Sequence, residues 1–115
     1  MSSRSADFCF TSGSHSVRLL LLCEVSLGNI NKLVAADYEA SQLPPGTHSV
    51  QGMGKIEPAG YKKMQNGLQL PVGPPVDTKM VNKNGDTLDY NEFIIYNTKQ
   101  IKFKYLAKVI FKNKL

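Results

Sequence analysis

The most chemically suggestive stretch of this sequence is Leu88 to Tyr96, LDYNEFIIY, in which an acid, Glu92, opens an apolar run. Strands disfavour glutamate unless it faces solvent or has a task. A carboxylate at the end of a strand, turned to water, is the plain reading; a fixed charge serving a reaction is the other. The remaining reactive side chains are sparse. Cys9 and Cys23 fit neither a disulfide framework nor a zinc site, which needs close ligand pairs. Cys23 lies in an apolar run and reads as a small buried side chain. His15 and His48 have no ligand partners at metal-site spacing and read as loop residues. No metal is expected. Gly52 and Gly54 in HSVQGMGK fall on one side of an extended strand, and that bare flank permits a close approach by backbone or ligand. A dinucleotide fingerprint is excluded, because a third glycine would have to stand at Glu57 with a helix after it.

These residues are carried by a chain of mostly strand character. Val17 to Val25, VRLLLLCEV, is nearly continuously apolar and predicts a strand buried on both faces, with a short buried helix as competitor. Asn31 to Glu39 has room for a helical turn or two, with Leu33, Val34 and Ala36 inward. Pro44, Pro45 and Gly46 break the chain. Gly67, Pro71, Gly73, Pro74 and Pro75 then exclude long helices and predict short strands, and Asn66-Gly67 and Asn84-Gly85 are tight-turn dipeptides. At the end, Ile101, Phe103, Tyr105, Ala107, Val109 and Phe111 alternate with lysines such as Lys102, Lys104 and Lys108. That period predicts a half-buried strand, hairpinned antiparallel to the one before it.

Size and charge bound the rest. The 115 residues, 42% of them hydrophobic, suit one globular domain. The longest apolar run, Leu19 to Cys23, is far below the ~20 residues of a membrane span. The opening has no secretory pattern, so an intracellular chain is expected. The net charge of +5 is concentrated: Lys99 to Leu115 holds six lysines and no acid, and everything before it is nearly neutral. Lysines on the solvated face of a strand also discourage edge-to-edge pairing. A nucleic-acid surface, normally broader, is the alternative.

Five blocks carry a resemblance: MSSRSADFCFTS, LLLLCEVSLGNINKL, GTHSVQGMGKIEP, LPVGPPVDT and YNEFIIYNTKQIKFKYLAKVIFK. In this order and spacing they resemble the C-terminal half of a poly(ADP-ribose) polymerase catalytic domain. The likeness runs from Met1 to about Lys112 and is greatest to the DNA-damage-dependent nuclear type with a short N-terminal region. It implies an α+β, mostly β fold: the C-terminal half of an ADP-ribosyltransferase, an antiparallel sheet with little helix. Residues 1–115 would form a partial catalytic domain, its N-terminal part absent.

The resemblance also implies roles. Glu92 would bond the ribose hydroxyls of NAD+, the co-substrate, and stabilise the oxocarbenium-like charge that develops as nicotinamide leaves. The same carboxylate would orient an acceptor hydroxyl. Ser5 would bond the nicotinamide carboxamide, and Phe8 would stack on its ring where the family has tyrosine. Arg4 stands in place of a lysine near the glutamate, keeping the charge with different geometry. Tyr90 would lie on the acceptor side. The adenine-side histidine and a second stacking tyrosine would lie upstream of Met1, and neither His15 nor His48 replaces that histidine. Partners implied are NAD+, protein acceptors and ADP-ribose chains, with DNA engaged only through upstream domains, no membrane, and a nuclear setting. A non-catalytic binding or regulatory β-rich module is the alternative. With half the NAD+ pocket elsewhere, the isolated chain is expected to be inactive and to expose apolar surface.

Overall fold

The computed structural model of the chain describes residues 2–9, 16–80 and 87–112. A six-residue helix α1, Ser2–Asp7, precedes eight strands: β1 Val17–Val25, β2 Ile30–Leu33, β3 Ser49–Gly52, β4 Gly54–Lys63, β5 Gln69–Asp77, β6 Leu88–Tyr90, β7 Glu92–Ile94 and β8 Ile101–Ile110. A 3-10 turn, Thr98–Gln100, leads into β8. The mostly β composition with little helix agrees with the sequence reading. No helix among the described residues is long and apolar enough to cross a membrane.

The strands form three small sheets, ordered β1-β8, β2-β3-β7 and β5-β4-β6. The longest apolar segment and the alternating final segment find each other: β1 and β8 pair antiparallel from Val17↔Ile110 to Val25↔Ile101, with an irregularity between Leu22 and Cys23. The expected hairpin between the last two strands is not formed. Instead β7 pairs with β3 and β8 with β1. The cause is local. The Asn97 side chain accepts from the Lys99 N–H at 3.0 Å and caps the 3-10 turn. Gln100 then anchors the chain away from β7, its side-chain amide donating to the carbonyls of Ser26 and His48.

The middle segment behaves as its glycines and prolines require. Asn66 Oδ1 accepts from the Leu68 N–H, and Gly67 takes φ 83°, closing a β4–β5 hairpin. Pro71, Pro74 and Pro75 lie on β5, which is an edge strand and can spare the missing donors. The second turn dipeptide, Asn84-Gly85, falls outside the described residues, as does His15. Residues 31–39 depart from the helical expectation. Asn31 to Leu33 pair with β3, and Asp37 Oδ1 then accepts from the Glu39 N–H at 2.9 Å, which favours a turn over a helix.

Burial is sparse. Val50 on β3 is the buried apolar side chain among the described residues, joined by the buried polar Ser49, Gln51 and Asn91. Leu21 on β1 is 60% exposed and Phe103 on β8 72%. The two-sided burial predicted for β1 and the half-burial predicted for β8 are therefore not realised. A two-stranded ribbon gives its own faces little cover.

Candidate active site

Glu92 opens β7 and sits in register with Gly52 of β3. It owes this place to a joint. Asn91 alone separates β6 from β7, and Met53 alone separates β3 from β4, so two strands change sheets at one level. The glycine flank anticipated from HSVQGMGK is used here by backbone. A Cβ on Gly54 would overlap the carbonyl carbon of Tyr90 and stand 2.6 Å from the Asn91 nitrogen. One on Gly52 would meet Leu88 Cδ1 at 2.7 Å. The strand bearing Tyr90, Asn91 and Glu92 therefore lies hard against residues 52–54.

The opening helix reaches the same place. Arg4 Nε donates to Glu92 Oε1 in an ion pair joining residues 88 apart in sequence. Both side chains are partly open to water, so the pair fixes geometry more than it stabilises the fold. The Arg4 guanidinium also lies over the Phe8 ring, 4.6 Å from its centroid, in a cation–π contact. Arg4, Ser5 and Phe8 all belong to α1 or its C-terminal turn, where positions three and four apart share a face. Ser5 is exposed, and its carbonyl accepts from the Phe8 N–H at 3.2 Å, which tucks the ring back along the helix. Tyr90 is half-buried on β6.

On another side of Glu92 lies a cavity of about 340 Å³, walled by Leu33, Val34, Tyr38, Val50, Leu88 and Ile94. Glu92 lines it, while Arg4, Ser5 and Phe8 do not. Glu92 thus borders an apolar hollow and is also paired to the Arg4–Phe8 cluster. An ionised carboxylate has about four lone-pair sites. Arg4 bonds one oxygen of Glu92. Phe8 adds an aromatic ring under Arg4, and Ser5 is an exposed residue of the same helix.

Other sequence candidates are placed elsewhere. His48 is a loop clamp: its Nδ1 accepts from the Asn29 N–H at 3.0 Å and its own N–H donates to the Asn29 carbonyl. Cys9 and Cys23 are free and half-buried. Among the described residues no group of three His, Cys, Asp or Glu side chains could hold a metal. The residue that pattern reading passed over is Asn91. It is 7% exposed, and its Oδ1 accepts from the Gly54 N–H at 2.8 Å. Asparagine inside a strand composition is itself a signal, because strands deplete it.

The poly(ADP-ribose) polymerase catalytic domain matches residues 1–111. The chain belongs to that family. Poly(ADP-ribose) polymerase 2 of Homo sapiens is 46% identical over 112 residues, 96% of this chain and 19% of the relative. Its namesake in Arabidopsis thaliana is 40% identical over 116 residues, 99% and 18% respectively. Poly(ADP-ribose) polymerase 1 of Danio rerio is 40% identical over 112 residues, 96% and 11%. The chain spans about a fifth or less of the length of these relatives.

Proposed function

We propose that this chain carries the acidic half of an NAD+-dependent ADP-ribosyltransferase site, with Glu92 as its catalytic carboxylate. The observation that carries the proposal is the convergence of Arg4, Phe8 and Glu92, from opposite ends of the sequence, on one place. Residues 1–115 correspond to the C-terminal part of the catalytic domain, and the adenine side of the pocket is completed from elsewhere. The substrates are NAD+, protein acceptors and growing ADP-ribose chains, in a nuclear setting coupled to DNA damage. Likeness to polymerases of types 1 and 2 supports that setting.

NAD+ supplies a ribose that becomes electron-poor as its bond to nicotinamide breaks. Glu92 accepts hydrogen bonds from the ribose hydroxyls and holds negative charge beside the sugar, an interaction that strengthens towards the transition state. Arg4 holds that carboxylate in place through one of its oxygens. Phe8 provides the stacking face, and Ser5 the hydroxyl that bonds a carboxamide. Tyr90, two residues before Glu92, stands on the acceptor side. Alignment of an acceptor hydroxyl by Glu92 then serves either initiation or chain growth.

The test uses a completed domain, in which this chain replaces the matching segment of human poly(ADP-ribose) polymerase 2. Glu92→Gln is expected to cut polymer formation by about a hundredfold or more, with NAD+ affinity changed by less than about fivefold. Equal loss of binding and turnover would contradict a transition-state role. One observation favours a second reading for the 115-residue chain on its own, a non-catalytic binding piece: its β1 and β8 faces are open. Incubation of the isolated chain with labelled NAD+ separates the two, and robust self-labelling would sink the non-catalytic reading.

A further inference from the structure

We infer that Asn91 is a positioning residue: its side-chain amide latches the joint from which Glu92 projects, so that loss of the latch reduces turnover while leaving NAD+ binding largely intact. The inference rests on Glu92 being the catalytic carboxylate, and its geometric part stands independently of that reading.

The joint needs a latch because of its topology. β3 and β7 pair antiparallel, whereas β4 and β6 pair parallel. Two strands that ran straight through would keep one sense of pairing, so the backbone must turn between them. One residue on each chain, Met53 and Asn91, is available for that turn. At such a break the strand ladder is interrupted, and a buried N–H needs another acceptor. The buried Gly54 N–H finds it in Asn91 Oδ1, at 2.8 Å. The Met53 N–H donates to the Leu33 carbonyl at 2.9 Å, and Thr78 Oγ1 donates to the Gly54 carbonyl at 2.7 Å. The β3–β4 side of the joint is thereby tied on both flanks, and Asn91 ties it to the strand bearing Glu92.

The amide's orientation is set as well. Asn91 Nδ2 faces Glu57 Oε2 on β4 at 3.5 Å. Rotating the amide would set its NH2 group against the Gly54 N–H and its oxygen against the Glu57 carboxylate, two repulsions at once. Glu57 therefore selects the rotamer that holds Gly54. Since Glu92 follows Asn91 directly and is in register with Gly52, its backbone is pinned from both sides of the joint. A shift of about an ångström there is enough to misplace a catalytic carboxylate.

The test combines two readouts. In the completed domain, Asn91→Ala is expected to speed hydrogen exchange at the Gly54 amide by about tenfold or more, because the buried donor loses its acceptor. Unchanged exchange would overturn the latch. In the completed domain, Asn91→Ala is expected to lower kcat by about tenfold, with KM for NAD+ within about twofold. Unchanged kcat, or a rise in KM that accounts for the whole loss, would overturn the positioning role. A charge rescue guards against simple misfolding. Asn91→Asp keeps an acceptor for Gly54 but sets a carboxylate against Glu57, so kcat is expected to fall; adding Glu57→Gln is expected to restore most of it. Failure of that rescue would overturn the assigned orientation. Should Glu92→Gln leave turnover unchanged, the carboxylate reading fails, and the exchange experiment still decides the latch.

Discussion

Arg4 joins Glu92 to Phe8, and each of these three residues was legible to a different degree. Glu92 is visible in the sequence as an acid where a strand wants an apolar residue. Phe8 and Ser5 emerge only from family likeness, since a short polar opening segment has no pattern of its own. The Arg4–Glu92 pair spans 88 positions, and no periodicity reports a contact of that range. Ser5 presents the simplest independent check on the nicotinamide side. In the completed domain, Ser5→Ala truncates an exposed residue. Its stability effect should thus stay within about 0.5 kcal/mol. Affinity for nicotinamide-like inhibitors, measured by calorimetry, is expected to weaken by about tenfold, the worth of one hydrogen bond to a carboxamide. Unchanged inhibitor affinity would remove Ser5 from the pocket.

Strand identity was largely written in local sequence, and strand pairing was not. The alternation in residues 101–111 and the apolar run at 17–25 became β8 and β1, because period two and β-branched or leucine-rich composition are local properties. Which strand each would choose depended on Gln100 reaching Ser26 and His48, side-chain bonds that no hydrophobic pattern records. The lysines of β8 are exposed, and Lys104 meets Glu24 on the neighbouring β1 at 3.2 Å. That cross-strand pair accords with a solvated face. At the joint, by contrast, the glycine signal was legible and its use was not. Gly54 is obligatory because backbone of the Glu92 strand fills the space where a side chain would be. Gly54→Ala is expected to cost at least about 2 kcal/mol, since the obstructing atoms are backbone and cannot rotate away. A thermal melt of the completed domain should show the loss as a fall of several degrees in Tm. Gly60, where an added Cβ would meet nothing within 4 Å, is the matched control.

The scale of the whole molecule explains why these elements remain exposed. A compact monomer of 12.7 kDa has an accessible surface of about 6,200 Å². This chain exposes 9228 Å². Apolar side chains contribute to it: Leu19, Leu21, Leu22, Phe103, Tyr105 and Leu106 of the β1–β8 ribbon all lie open to water. A second hollow of about 480 Å³, between Cys23, Val25, Leu27, Phe93, Ile95 and Ile101, is apolar and unfilled. Contiguous apolar surface on this scale is uncommon on soluble monomers and drives association. Ribbon edges with unpaired backbone groups add a template for strand pairing. The 115-residue chain alone is therefore expected to self-associate, to bind a hydrophobic dye strongly, and to melt without a sharp transition. Light scattering after size exclusion reads the first property and differential scanning calorimetry the last. Because the burial deficit lies on strand faces, added salt should worsen the association, both by screening the β8 lysines and by strengthening apolar contact. A monodisperse monomer with a cooperative melt would show instead that β1 and β8 find cover within this chain, and that the open faces described here close in solution.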